Sequence, residues 1–500
     1  MNLHKLVNNI SEINLAQCLD LNIKGIAVDP KLCLDGYLYV ADIHETVDSS
    51  QFGLRLDGRD FITAAIEHGA VAVLTTPDQI VNQSTVPYLF HHQPLSILGL
   101  LYKRFYQFKY PKHIALVTGT DGKTSTVNFT KQLLGQLGIK SCSIGNLGAI
   151  TNDHKVLWPP HFSLTVPDTL TLHKVLANCE SQQINSIIAE ATSHALYEYR
   201  LSHIPAQVGV FTNLTPEHLN FHHNMEEYFH TKMRLFQDVL PTGSYAVICA
   251  DSDYYPQIKT LCLQKKHHVI SVGYRGESIK LIKIHPNAQG QYIHFQIAEK
   301  YYQVQLNLHG AFQVFNLMTS LGILMAFGHS IEDVIYLIPR LTEIEGRFNT
   351  IGFTPSGGQI IVDFAHTING LKQALLALGQ ICKGKTYVLM GSPPFPNLET
   401  CQQMAILASK MANHLIITDS HAPNKNLAEL RQMYISVAPN AIEIEGRANA
   451  IKKICHLLQK DDVFLITGMG PEEFQWIGEN KIAYSDKGCV QNILKTMFPL

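Results

Sequence analysis

Eight residues, Thr118-Gly119-Thr120-Asp121-Gly122-Lys123-Thr124-Ser125, carry the clearest chemistry in this sequence. They follow a short aliphatic run, Ile114 to Val117, and lead directly into an apolar-periodic helix pattern ending near Leu134. A strand, a glycine-containing turn and a helix N-terminus together hold a nucleotide's phosphates. Glycines let the backbone approach, successive N–H groups and the helix dipole face the anion, and Lys123 adds a mobile positive charge. The Thr124 hydroxyl stands where such loops bind Mg²⁺. The strict P-loop pattern has a glycine where this chain has Val117. The strand and helix on either side still favour a phosphate loop over an ordinary turn with an exposed lysine, and ATP or another nucleoside triphosphate is the expected ligand.

Two further apolar runs end in polar groups that a nucleotide site can use. Ile187-Ile188-Ala189 runs into Glu190-Ala191-Thr192-Ser193-His194, and Val208 to Thr212 runs into Asn213-Leu214-Thr215-Pro216-Glu217-His218. Carboxyl ends of strands are where an open α/β sheet binds its ligand, so Glu190 is placed to hold the nucleotide's Mg²⁺. A lone strand-end Glu or His is more often a satisfied polar group; two such ends after a phosphate loop reverse that preference. Lys232, in a helix pattern beginning near Met225, reads from spacing alone as a lysine on a solvated face.

The elements that must position these groups fall into three units. Five hundred residues suit about three domains. Residues 1–109 contain short strand patterns at 25–29, 37–41 and 71–74 and a helix opened by Asp57-Gly58-Arg59, and they close at Tyr110-Pro111. Residues 110–345 hold the phosphate loop, a hairpin pattern across 281–309 and a long apolar helix after Gly310. Residues 346–500 alternate strands (360–363, 387–390, 415–418, 442–444, 463–467) with helices (371–378, 399–411, 448–458). That alternation predicts a doubly wound, mainly parallel α/β sheet. No G-x-G-x-x-G stands there, so no second nucleotide is assigned.

Composition excludes several classes. A net charge of −2 gives no basic field for nucleic acid, and hydrophobic residues at 46% describe an ordinary globular chain. The ten cysteines, Cys18, Cys142, Cys249, Cys382 and Cys489 among them, include no C-x-x-C pair. They read as buried free thiols in a reducing compartment. Without a signal-peptide core or a long apolar stretch, a cytoplasmic protein that spans no membrane is expected.

Taken in order, GTDGKTS, TVPDTLTL (165–172), EATSHAL (190–196), FTNLTPEHLNFHHNMEEYFHTK (211–232) and VDFAHT (362–367) resemble the Mur ligases. These are ATP-dependent amide-forming enzymes of peptidoglycan synthesis, and the closest type adds the third residue of the stem peptide. The resemblance spans nearly the whole chain. It implies a UDP-sugar-binding-like first domain, a central ATP-binding domain and a Rossmann-like third domain that binds the amino acid. It implies ATP contacts from Gly119, Thr120, Asp121, Gly122, Lys123, Thr124, Ser125, Asn316, Arg347, Asp363 and His366. Catalytic and metal roles fall on Lys123, Thr124, Glu190, His218 and Lys232, with Lys232 carbamylated beside Mg²⁺. Thr165, Thr192, Arg200 and Glu472 match substrate-gripping positions. Small-molecule substrates, no nucleic acid, no membrane and a monomer are the implied partnerships.

The departures cluster on the amine side. The family's GGDRD is Gly391-Ser392-Pro393-Pro394-Phe395, its DNPR lies within Thr418-Asp419-Ser420-His421-Ala422-Pro423, and its GKGHE is Gly468-Met469-Gly470-Pro471-Glu472. The arginine that would grip a distal carboxylate is missing, with no nearby lysine or arginine expected in its place. The family's DSR is Asp29-Pro30-Lys31, and VDYAHTPDAL becomes VDFAHTINGL with Ile368 and Asn369. The reading is a Mur-type ligase with an intact ATP half and altered amino-acid specificity, not assigned to diaminopimelate. Two alternatives stand beside it. One is a related ligase recruited to another pathway, favoured by Asp29-Pro30-Lys31 and opposed by Thr165, Thr192 and Arg200. The other is an inert ATP-binding partner subunit, opposed by joint retention of Lys123, Glu190, His218 and Lys232.

Overall fold

The computed structural model describes residues 1–13, 20–45, 55–78, 85–160, 164–393, 397–422, 426–478 and 480–497. Cys18, Pro394-Phe395-Pro396 and Pro423 lie outside them. Three sheets organise the described chain. Near the N-terminus, strands Gly25–Ala27, Tyr37–Val40, Ala70–Thr75 and Tyr88–Phe90 form a four-stranded parallel sheet. The segment Asp29-Pro30-Lys31 is a capped 3₁₀ turn in which the Asp29 carboxylate accepts from the Lys31 N–H at 2.8 Å.

The middle sheet has eleven strands among the described residues. At its centre the phosphate-loop strand His113–Thr118 lies between Ser186–Glu190 and Val208–Phe211, both parallel to it. Val117 pairs with Glu190 and Thr118 with Phe211, so all three strands end at one level. Alternate residues face opposite layers. Ala115 and Val117 pack with Val127, Phe129 and Leu133 of the helix Lys123–Gln136, and with Val314, Leu317 and Leu321 of the helix Ala311–Ala326. Ile114 and Leu116 pack on the other face with Leu172, Leu176 and Phe236. A strand buried on both faces explains the unbroken aliphatic run. The hairpin expected over 281–309 is a three-stranded antiparallel extension, Ile279–Asn287, Gly290–Ile297 and Lys300–Leu306, at the sheet edge. The third strand escaped the sequence reading because its inward positions alternate with tyrosines and glutamines.

The last sheet has six strands and is parallel except for its edge strand Asn349–Phe353. Strand Val463–Thr467 sits between Gln359–Asp363 and Thr386–Met390. Helices Ile368–Ile381, Leu398–Met411, Leu427–Val437, Arg447–Leu457 and Asp486–Met497 cover it. A hairpin, Phe474–Ile477 with Asn480–Ala483, follows the central strand. The described cysteines are free. Among the described residues no helix is long and apolar enough to cross a membrane.

Candidate active site

A cavity of about 590 Å³ opens where the strand ends of the middle and last sheets face each other. The loop between His113–Thr118 and Lys123–Gln136 forms its floor. Gly119 has φ 142° and Gly122 φ 86°, backbone states that L-residues rarely adopt. Space is equally restrictive, since a Cβ at Gly119 would strike the Thr212 hydroxyl and one at Gly122 the Asn316 side-chain oxygen. The Asp121 amide donates to Asn213 Oδ1 at 2.9 Å, and the Asp121 carbonyl accepts from Thr212 Oγ1 at 2.7 Å. The Lys123 ammonium folds over the loop onto the carbonyls of Gly119 (3.1 Å) and Thr120 (2.7 Å).

Acidic and hydroxyl oxygens gather beside it. Thr124 Oγ1 donates to Glu190 Oε1 at 2.8 Å, and the Asn146 amide donates to the same oxygen at 3.0 Å. Arg347 Nη2 donates to Thr124 Oγ1 at 3.1 Å, and its guanidinium lies over the Phe364 ring. His218, in the left-handed region at φ 54°, sets its ring perpendicular to His194 at 4.6 Å. Burial depresses the pKa of His218 against the opposing pull of Glu217, which leaves a neutral imidazole able to act as a ligand.

Lys232 departs most from the pattern-only reading of a solvated lysine. Its side chain is 1% exposed, and Nζ donates to the Gly119 carbonyl at 2.8 Å above the Tyr228 ring. Burial first, then the neighbouring Lys123, pushes its pKa well below the ordinary range. A buried amine held neutral is nucleophilic, the chemistry that carbamate formation with CO₂ requires. Gly119 and Lys232 lie beneath the cavity, whereas the other expected site residues line it.

The third sheet contributes from above. His366 Nδ1 lies 2.6 Å from the Phe364 carbonyl and Nε2 lies 2.9 Å from Glu217 Oε1. Both acceptors lack protons of their own, so both ring nitrogens donate and the imidazole is cationic. Burial would lower the His366 pKa, but Glu217 outweighs it and the value rises above 6.5. Burial likewise opposes the ionised Glu217, yet His218 and His366 hold its carboxyl well below the usual range. Asp363 accepts from the amides of Phe348 (2.6 Å) and Ala365 (2.8 Å), bracing this loop. Asp121 receives Thr367 Oγ1 and Asn369 Nδ2, each at 3.2 Å.

Asn316, Thr165, Thr192, Arg200 and Glu472 line the same cavity. Arg200 is paired with Glu198 at 2.8 Å and donates to the Val166 carbonyl at 3.3 Å, while Thr192 caps the helix Ser193–Tyr197. Sequence reasoning did not single out Glu217, Asn213, Asp121's contact with Asn369, or the aromatic wall of Phe312 and Phe315. Glu217 adjoins His218 at a strand end, a position that already marked it. At the rewritten amine side, Arg431 binds Asp419 and Glu443, and Arg447 binds Asp486. Arginines therefore do stand near that loop, but both are engaged inside the fold.

A Mur ligase middle-domain pattern matches residues 117–324, and a Mur ligase glutamate-ligase-domain pattern matches 346–470. A UDP-N-acetylmuramoyl-L-alanyl-D-glutamate–2,6-diaminopimelate ligase of Bradyrhizobium diazoefficiens is 32% identical over 494 residues, covering 98% of each chain. The enzyme of that name from Brucella melitensis is 30% identical over 476 residues, 95% of each chain. A solved structure of a ligase of the same name matches with a TM-score of 0.68 at 21% identity, covering 99% of each chain. The MurF ligase of Thermotoga maritima in complex with ADP matches at 0.60 and 17% identity, covering 94% of this chain and 97% of that one.

Proposed function

Because this chain belongs to the Mur ligase family, we propose that it is an ATP-dependent amide-forming ligase. It activates the free carboxylate of UDP-N-acetylmuramoyl-L-Ala-D-Glu and joins it to an amino acid in peptidoglycan synthesis. The amino-acid specificity is its own, given the rewritten segments at 391–396 and 418–423. One observation carries the reading: Lys123, Thr124, Glu190 and His218 of the middle sheet meet Arg347 and His366 of the last sheet around one cavity.

The reaction proceeds in two balanced steps. A substrate carboxylate oxygen attacks the γ-phosphorus of ATP, the bond to the β–γ bridging oxygen breaks, and an acyl phosphate and ADP result. The amine then attacks the acyl carbon, the C–O bond to phosphate breaks, and the amine loses a proton. Lys123, Arg347 and the loop N–H groups offset charge developing on the phosphoryl oxygens. Assembly of the site from separate units supplies orientation.

The donors suit a hard divalent cation. Thr124 Oγ1 and Glu190 are oxygen ligands, His218 presents a neutral imidazole, and Lys232 becomes an oxygen donor once carbamylated. Mg²⁺ held there would polarise the phosphoryl oxygens. Thr165, Thr192 and Arg200 grip the UDP-muramoyl substrate, and Glu472 faces the incoming amine. The enzyme works as a cytoplasmic monomer.

The test is ATP-dependent phosphate release with UDP-N-acetylmuramoyl-L-Ala-D-Glu and a panel of amino acids. Turnover with one amino acid, giving a product heavier by that residue, is expected. Lys123→Ala should lower kcat by about 10²–10³, the usual cost of losing one donor to a developing anion. Full activity in that variant would overturn the assignment.

A further inference from the structure

The loop Thr418–Ala422 and the residue Glu472 form a built constellation at the third sheet's carboxyl edge. Most of the loop's polar groups are used within the fold. Thr418 Oγ1 donates to the Ile444 carbonyl at 2.6 Å. Asp419 takes the Arg431 guanidinium on one oxygen and the Gly446 amide at 2.6 Å on the other. None of residues 418–422 lines the cavity, whereas Glu472 does.

His421 connects the two. Its side chain is 1% exposed, and that of Glu472 is 17% exposed. His421 Nδ1 lies 3.1 Å from the Trp476 backbone nitrogen, and an amide N–H can only donate, so Nδ1 accepts. The ring proton of the neutral tautomer is therefore on Nε2, which donates to Glu472 Oε2 at 2.7 Å. The adjacent residue fastens the same hairpin: the Ala422 amide donates to the Trp476 carbonyl at 2.7 Å, and the Gly478 amide to the Ala422 carbonyl at 3.0 Å. With Oε2 held, the other carboxylate oxygen has no hydrogen bond among the described residues. The two arginines within electrostatic reach of Glu472 are committed elsewhere, Arg347 to Thr124 and Arg447 bidentately to Asp486.

We propose that His421 is a positioning residue that fixes Glu472 as the acceptor-side anion, so that the incoming amine is recognised through a positively charged side-chain group. This rests on the ligase reading, in which Glu472 faces the amine. A carboxylate restrained on one oxygen presents the other in a single direction, and a charge-assisted hydrogen bond to an ammonium rewards that preorganisation.

The test is calorimetric titration of the full chain, with a non-hydrolysable ATP analogue and UDP-N-acetylmuramoyl-L-Ala-D-Glu present. L-lysine is compared with L-norleucine, and L-ornithine with L-norvaline, pairs of equal length with and without the ammonium. The wild type is expected to bind the cationic member of each pair about tenfold or more tightly, and Glu472→Gln to erase the preference. His421→Ala should weaken cationic binding by about tenfold, whereas His421→Gln, which keeps a donor toward Glu472, should remain within about threefold of wild type. Affinity for the ATP analogue should stay within about twofold in every variant, which separates positioning from a general structural loss. Equal affinity within each pair, an unchanged His421→Ala, or a parallel loss of ATP-analogue affinity would each overturn the proposal. Ligation assayed alongside judges the other reading: a chain that selects the cationic amine but forms no amide fails as a ligase and leaves this inference standing.

Discussion

Lys232 illustrates how burial changes the chemistry of a residue whose sequence neighbourhood is unremarkable. In water its ammonium would be inert toward CO₂, but beneath the phosphate loop it is stripped of solvent and placed beside Lys123, so the neutral amine is favoured. Lys232→Ala should abolish amide formation, and a short carboxylate such as acetate should restore part of it by replacing the lost carbamate oxygens. Intact-mass analysis of the wild-type protein in bicarbonate should reveal an adduct of one CO₂ that the variant lacks. Undiminished activity in Lys232→Ala would remove the residue from the mechanism. The side chains of the phosphate loop were legible beforehand because glycine, lysine and threonine at fixed offsets are a local signal. The depth of Lys232 was not, because Gly119, its hydrogen-bond partner, is remote in sequence. The same holds for His421 and Glu472, whose pairing no spacing rule encodes.

Among the elements, helix Arg447–Leu457 shows how the last sheet keeps its strand ends in place. Arg447 at its start makes two hydrogen bonds of 2.7 Å to Asp486, at the start of Asp486–Met497, and another of 2.7 Å to the Thr467 carbonyl. Both side chains of the pair are essentially buried. Removing one partner of a buried pair leaves an uncompensated charge, so Asp486→Ala should destabilise the protein by about 3–5 kcal/mol. A lowered urea midpoint with unchanged m-value would register this, and a shift comparable to that of a surface substitution would contradict it. The strands of this sheet were readable from aliphatic runs. Helix Leu427–Val437, strand Asn349–Phe353 and the hairpin after Glu472 were not, because mixed polar composition hides a period that only tertiary packing selects. The helix Ile368–Ile381 extends beyond its expected span because Thr367 caps it, accepting the Gly370 amide at 2.9 Å.

Across the whole molecule, three polar contacts join the last sheet to the middle one: His366 to Glu217, Thr367 and Asn369 to Asp121, and Arg347 to Thr124. The first of them titrates. His366 has a raised pKa, so its contribution is complete below the ordinary value of 6.5 and is lost as pH rises through the raised one. Glu217 has a lowered pKa, so its contribution is complete above 4.5 and is lost as pH falls through the lowered value. Attachment of the two units should therefore weaken on the alkaline side. Hydrogen exchange of the amides around 363–367 should accelerate as pH is raised, after correction for intrinsic exchange, and His366→Gln should flatten that dependence. A wild-type profile that stays flat across this window would sink the assignment. Three α/β units were readable from the order of motifs; how they face one another was not, because these contacts link residues far apart in the chain.

Arg347 reaches the middle sheet from the first residues of the last one, just past Gly346 and a bridge between Ile344 and Arg347. The connecting segment is therefore a ruler as well as a tether. One inserted residue adds up to about 3.5 Å of chain, more than a hydrogen bond can stretch. Length variation absorbed at the outer strands of the large sheet would cost the site nothing, whereas a single indel at this joint would withdraw the guanidinium from Thr124. In the divergence of such chains, the joint should keep its length even where its side chains change.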